Sequence, residues 1–351
     1  TLTAIIVAAD WMTSGASAIA VKLRIRPMIV GLTIVAMGTS APELFVSVRS
    51  ALESDAPGKA GMVDIALGNV VGRNIFNCLL IIGLVTLIAP VSVPKKTVNE
   101  DILIVIFSSV LLSALLCTGE FSRWYGIFFL ICFAWFLKKT INSAKTTREE
   151  TNGSDDTVVI KQHPLWLAIT LIIVGLAVLV FASDIFVDTA SEIASVLGVS
   201  DKIIGLTIVG IGTSAPEIAT SVMAARKGQG EMAIGNVIGS NIFNILMILG
   251  LTGVIHPLKD YTINYVDLGV MILGAFLFWL FSRTKYKLER WEGAVLLLTC
   301  TAYICWLIQR PSSLTPNPSP SGEGNDMSCV RSFFLTSSKD IKTLKSIYGK
   351  V

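Results

Sequence analysis

The sequence predicts an all-α polytopic membrane protein: ten transmembrane helices in two inverted five-helix repeats, with helices two, three, seven and eight broken. Three observations carry that expectation. Hydrophobic residues make up 53% of the chain and charged residues only 15%, against about 25% charged in a soluble domain. The apolar residues gather in runs long enough for a ~20-residue membrane helix, with a mean hydropathy of +0.70. Finally, the chain repeats itself. Gly31-Leu-Thr-Ile-Val-Ala-Met-Gly-Thr-Ser-Ala-Pro-Glu43 returns as Gly205-Leu-Thr-Ile-Val-Gly-Ile-Gly-Thr-Ser-Ala-Pro-Glu217. Gly68-Asn-Val-Val-Gly-Arg-Asn-Ile-Phe-Asn77 returns as Gly235-Asn-Val-Ile-Gly-Ser-Asn-Ile-Phe-Asn244.

The apolar runs place spans at 2–21, 28–52, 61–89, 100–117, 122–138, 164–188, 203–225, 231–255, 262–282 and 291–309. The expected organisation is a first repeat over 1–138, a polar loop over 139–163, a second repeat over 164–309 and a disordered tail over 310–351. The tail is rich in Pro, Ser and Gly from Pro311 onward. The first span looks short. Asp10 stands at the same offset from Asp184 as Glu43 from Glu217, yet the sixth span begins well before Asp184. About ten residues are expected to precede Thr1, and no signal-peptide pattern is evident.

Basic residues set the orientation. After the odd-numbered spans lie Lys22, Arg24, Arg26, Lys95, Lys96, Lys138, Lys139, Lys145, Arg148, Lys161, Arg226, Lys227, Arg283, Lys285, Lys287 and Arg290. After the even-numbered spans lie only Arg49, Lys59, Arg123, Lys202 and Lys259. The N-terminus is expected outside and the 139–163 loop in the cytoplasm. Spans two and seven carry the same motif five spans apart, so they would cross in opposite directions. Inverted repeats of this kind mark secondary transporters with sites at the bilayer midplane. Trp124, Trp166, Trp291 and Trp306 fall near span ends and fit an interfacial belt.

The repeated motifs put polar groups where they are expensive. Pro42 removes a backbone donor and crowds the Gly38 carbonyl, and Pro216 does the same to Gly212. Carbonyls so released need a partner, and a desolvated cation would serve. Glu43 shares a helix face with Thr39 and Ser40, as Glu217 does with Thr213 and Ser214. Asn69, Arg73 and Asn77 form a polar stripe in span three, matched by Asn236, Ser240 and Asn244 in span eight. An intramembrane carboxylate is a functional hypothesis by default. Asn69 and Asn236 admit two readings, ligand or helix–helix hydrogen bonder. Asp64 and Glu231 sit at span starts and read as helix-end groups. Asp10 and Asp184 are expected near an interface, outside the site.

Together the halves would offer an all-oxygen site, which suits hard cations such as Ca²⁺ and Na⁺. The only histidines, His163 and His256, lie at loop edges, and no zinc-type spacing joins the six cysteines. The cysteines read as small buried hydrophobes. No resident cofactor is called for, the ions being cargo. Apart from the lipid bilayer, nothing calls for nucleic acid or an obligatory protein partner.

At these residues the chain resembles the sodium/calcium exchanger family of cation/Ca²⁺ antiporters, particularly its bacterial members. The resemblance spans roughly 1–309. It implies a multi-pass protein of the bacterial inner (plasma) membrane with ten helices, exchanging several Na⁺ for one Ca²⁺. It implies that Glu43 and Glu217 are shared carboxylates and that the Thr39 and Thr213 carbonyls help bind Ca²⁺. Ser40, Ser214, Ser240 and the carbonyls of Ala36 and Gly210 would serve Na⁺, and Asn77 and Asn244 would complete the centre. The first and sixth helices would slide to switch access. Two departures stand out. Some members carry Asp at the position of Asn244. Arg73 stands where the motif normally has a small residue and where its own repeat has Ser240. It lies ~18 Å along span three, too deep to snorkel easily. A guanidinium near either glutamate would act as a tethered cation, removing one Na⁺ position and weakening Ca²⁺ binding.

Other classes fit less well. A proton-coupled cation exchanger would replace Na⁺ by glutamate protonation. A channel would not need duplicated inverted halves. An intramembrane enzyme using Ser40 or Ser214 lacks a His or Lys spaced to activate either serine. Gly210-Ile-Gly-Thr-Ser-Ala imitates a dinucleotide fingerprint but follows no strand.

Overall fold

A computed structural model describes residues 1–53, 62–151, 164–197, 210–259 and 264–309. The 310–351 tail, Lys59, Lys161 and Lys202 lie outside the described residues, as does the side chain of Asp64. The described residues are almost entirely helical. Among the described residues, eight helices are long and apolar enough to cross a membrane, and nine if a pair bent by 45° counts as one span.

Helix α1, Leu2–Leu23, ends where Arg24 adopts a left-handed backbone (φ 54°). Pro27 then opens the next helix, at a position where its missing N–H costs nothing. That span is the bent pair, α2 (Pro27–Thr39) and α3 (Ala41–Leu52). Helix α4 runs from Met62 to Ile88 in three contiguous pieces, Met62–Phe76, Asn77–Ile81 and Ile82–Ile88. Helix α5 is Thr97–Leu116 and α6 is Arg123–Thr151. Helix α7, Leu165–Val196, has 32 residues. The short turn α8, Gly210–Gly212, leads to α9, Ala215–Arg226. Helices α10 (Gly230–Ile255), α11 (Tyr265–Lys285) and α12 (Arg290–Gln309) complete the set.

Two small antiparallel pairings tie the connections together. Val91 and Ser92 pair with Leu288 and Lys287. Glu120 and Phe121 pair with Lys259 and Leu258, and Lys259 Nζ adds an ion pair to Glu120 at 2.9 Å.

Three expectations need correction. Helices three and eight are not broken: α4 and α10 pass through without interruption. Neither contains a proline. They widen into wider π-type turns over Asn77–Ile81 and Phe243–Leu249 instead, a feature often found at functional sites. The polar stretch from 139 is not all loop, because α6 continues to Thr151. Its Lys, Arg, Ala and Glu residues are good helix formers. Nor are all the cysteines buried. Cys78 and Cys300 are, but Cys117 and Cys305 are exposed, on outer faces where lipid is as apolar as a protein interior.

The packing places α4 and α10 at the centre, with 72% and 78% of their apolar windows buried, against 17% for α6 and 28% for α7 and α12. Apolar side chains such as Phe107, Ile131, Phe181 and Leu298 cover the outside. Trp124, Trp166, Trp291 and Trp306 are all exposed, as an interfacial belt requires. Helices α1 and α7 pack along a glycine seam. A methyl group on Gly15 would lie 2.6 Å from the Ala168 carbonyl, and one on Gly175 would lie 2.9 Å from the Ala8 carbonyl. Gly31 and Gly235 do the same for α2 against α10, each facing backbone of the other helix. Small residues thus let the backbones approach closely.

Candidate ion site

The repeated hexapeptide Gly-Thr-Ser-Ala-Pro-Glu takes the same shape twice. Ser40 has φ −92° and ψ 4°; Ser214 has φ −88° and ψ 5°. Both lie in the sparsely populated bridge region, and both end one helical arm before a second begins. Pro42 and Pro216 stand in the first turn of that second arm, where proline is tolerated. Glu43 and Glu217 also fall in that first turn. There the partial positive charge of a helix N-terminus favours a carboxylate. The breaks pack against the α1–α7 pair: Gly38 faces Met12 and Leu176, and Gly212 faces Val187.

The breaks carry both glutamates into the interior. Glu43 is 7% exposed and Glu217 1%. Arg73, from the central helix α4, lies between them and is 5% exposed. Its Nη2 meets Glu43 Oε1 at 2.5 Å and its Nη1 meets Glu217 Oε1 at 3.2 Å. Nη2 also donates to the Thr213 carbonyl at 2.5 Å, and Nε donates to Asn69 Oδ1 at 3.1 Å. Ser40 Oγ reaches across to Glu217 Oε1 at 3.4 Å. One cationic group is therefore gripped by carboxylates from the two copies of the motif, with a carbonyl freed at the Thr213–Ser214 turn.

The remaining oxygens are conspicuous for what they lack. Glu43 Oε2, Glu217 Oε2, Ser214 Oγ, Ser240 Oγ, Asn77 Oδ1 and both polar atoms of the Asn244 amide are buried with no hydrogen-bond partner among the described residues. Leaving one such group unpaired costs about 1–3 kcal/mol. Buried polar groups of this kind call for an ion or water partner.

Other predicted residues are already engaged. The Ala36 carbonyl accepts the Ser40 N–H at 3.0 Å and the Thr39 hydroxyl at 3.3 Å. Gly210 opens the short turn α8. Asn77 donates its amide to Asn241 Oδ1 at 2.9 Å, and Asn241 donates in turn to Cys78 Sγ at 3.0 Å. Asn236 donates to Thr220 Oγ1 at 3.2 Å and Ser221 Oγ at 2.9 Å, so it bonds helix to helix. Asn69 serves as the anchor for Arg73. Asp10 is not in the site: it pairs with Lys227 at 2.7 Å.

Sequence reasoning missed four residues. Asn74 and Asn241 occupy matching places in the repeated decapeptide, and both are buried. Repetition alone marked them. Lys227 and Gln229, just after α9, hold α1. Lys227 Nζ contacts the Asp10 carbonyl at 2.9 Å, Thr13 Oγ1 at 3.0 Å and Ser14 Oγ at 2.7 Å, besides its ion pair. Gln229 Oε1 accepts from Ser17 Oγ at 2.6 Å. Nothing in the local pattern reveals such long-range contacts.

A helical, multi-pass membrane protein with a buried carboxylate pair meeting at two broken helices has the architecture of an ion transporter. Comparison with known proteins agrees. Residues 1–138 and 167–309 match the family described as sodium/calcium exchanger protein. The chain is 33% identical over 313 residues to the inner membrane protein YrbG of Escherichia coli, covering 86% of this chain and 92% of that one. It is 33% identical over 334 residues to the sodium/calcium exchanger MaX1 of Methanosarcina acetivorans, covering 84% and 93%. A solved structure of the sodium-calcium exchanger NCX_Mj, soaked with Na⁺ and Ca²⁺, superposes with a TM-score of 0.71 at 31% identity, covering 87% and 95%. The chain belongs to the sodium/calcium exchanger family.

Proposed function

We propose that this antiporter exchanges Na⁺ for Ca²⁺ across a bacterial inner membrane by alternating access. The proposal includes ten helices in two inverted five-helix halves, 1–138 and 164–309. The N-terminus lies outside and the polar segment after residue 138 lies in the cytoplasm. The two small strand pairings support the alternation of successive connections between two faces. One joins the connections after the third and ninth spans, and the other joins those after the fourth and eighth. Each pairs only connections of one parity.

The observation that carries the reading is the grip of Glu43 and Glu217 on a single cationic group. A pocket that closes two carboxylates and the Thr213 carbonyl around one guanidinium has the donor chemistry that a hard cation needs. In this reading Glu43 and Glu217 are shared by Ca²⁺ and Na⁺, with the Thr39 and Thr213 carbonyls completing Ca²⁺ coordination. Ser40, Ser214, Ser240, Ala36 and Gly210 serve Na⁺, and Asn77 and Asn244 close the centre. Arg73 takes the place of one Na⁺ and weakens Ca²⁺ binding. The test is ⁴⁵Ca²⁺ uptake into proteoliposomes under an outward Na⁺ gradient or, separately, an outward proton gradient. Uptake driven by Na⁺ supports the reading. Uptake driven only by protons replaces it with H⁺-coupled exchange.

A further inference from the structure

The charge of the ion site raises a question. In a carrier of this design, strict exchange requires that the empty form cannot reorient. Two ionised glutamates alone would give the empty site a charge of −2. Occluding a net charge away from water carries a self-energy that grows as its square. That penalty keeps an empty carrier on one side until a cation arrives.

Here the two carboxylates do not stand alone. Arg73 is bonded to one oxygen of each glutamate, to the Thr213 carbonyl and to Asn69. It belongs to the chain, so it cannot be released to either side. With Arg73 present, the empty site carries −1 rather than −2, and its self-energy falls about fourfold. A site loaded with one Na⁺ carries zero. A site loaded with Ca²⁺ carries +1, no more costly in this respect than the empty one. The second oxygens of both carboxylates remain without hydrogen-bond partners among the described residues, so Arg73 does not exhaust the site. The matching residue of the other copy is Ser240, whose hydroxyl is buried and also without a hydrogen-bond partner among the described residues. No second tethered charge therefore blocks it from that side.

Resting on the exchange reading above, we infer that Arg73 is a tethered counter-cation that lets the unloaded carrier reorient, giving this exchanger a second activity: net, uncoupled cation efflux. The substrate is the same hard cation, and only the requirement for a returning ion is relaxed.

The experiment uses the full chain in ⁴⁵Ca²⁺-loaded liposomes. They are diluted into potassium-free choline thiocyanate with chelator or into the same medium with Na⁺, with a pH dye trapped inside. Thiocyanate carries the compensating charge. The expected result is efflux in both media, without stoichiometric acidification in choline. Whatever its Na⁺-driven rate, Arg73→Ser should lower the ratio of efflux into choline to efflux into Na⁺ by at least about tenfold, a barrier change of ~1.4 kcal/mol. Arg73→Lys, which keeps the charge, should hold that ratio near the wild-type value. Wild-type efflux into Na⁺ with none into choline overturns the inference and leaves exchange intact. Stoichiometric acidification in choline means proton exchange and overturns it also. Efflux in neither medium overturns the exchange reading and this inference together. The wild-type comparison decides the matter even if Arg73→Ser fails to fold.

Discussion

Arg73 in α4 and Ser240 in α10 hold the same place in two nearly identical decapeptides. The first fills the space between the two glutamates with a cation and makes four polar contacts there. The second leaves a buried hydroxyl without a hydrogen-bond partner among the described residues. The frames around them match closely. Ser40 and Ser214 agree within a few degrees in both backbone angles, and each helix widens just at or beside its asparagine, Asn77 or Asn244. A duplicated scaffold thus need not carry duplicated charge. Backbone geometry is set by proline, glycine and packing, which both copies keep. The ion chemistry is set by one side chain, which they do not.

The contrast can be broken most severely at Arg73. At an effective dielectric of about 20, unit charges 4 Å apart interact by ~4 kcal/mol. Removing the guanidinium should therefore lower the half-saturating Ca²⁺ concentration for exchange about tenfold to a hundredfold in Arg73→Ser. Adding Ser240→Arg to that variant should raise the half-saturating concentration again, because the charge re-enters from the other copy. Unchanged Ca²⁺ dependence in Arg73→Ser would remove Arg73 from the ion site.

A second asymmetry lies at the α1 contact. Lys227 ties α1 through Asp10, Thr13 and Ser14, whereas the residue at the matching offset in the first copy is Glu53. Lys227→Ala should loosen α1. On a cysteine-free background, Ser17→Cys should then react several-fold faster with a soluble thiol reagent. An unchanged labelling rate would mean that the glycine seam with α7 alone holds the helix.

The smallest effect concerns the asparagines at the head of each decapeptide. Asn236→Leu removes the amide that donates to the Thr220 and Ser221 hydroxyls and should cost about 1–3 kcal/mol, seen as a drop of several degrees in Tm. Asn69→Leu loses only the Arg73 anchor. It should change the Ca²⁺ dependence more than the Tm. The reverse order would exchange the two roles.

Much of this was legible in the sequence, for identifiable reasons. Hydropathy exposes the spans because a bilayer demands long apolar segments. Repetition exposes the glutamates because charge is otherwise excluded there. Proline marks the breaks at Ser40 and Ser214. The same logic overreached for α4 and α10: glycine and asparagine without proline widened those helices rather than breaking them. The continuation of α6 to Thr151 was obscured because polar residues there look like loop, though they are good helix formers. The Lys227 contacts and the Asn77–Asn241–Cys78 chain depend on which helices meet, which no local pattern records.

The central claim is that Glu43 and Glu217 grip one cation together. It is tested most directly by Ca²⁺ exchange in proteoliposomes carrying Glu43→Gln or Glu217→Gln, with folding checked by Tm. The account predicts that each substitution alone abolishes Na⁺-driven ⁴⁵Ca²⁺ uptake. Substantial uptake surviving in either folded variant would contradict it.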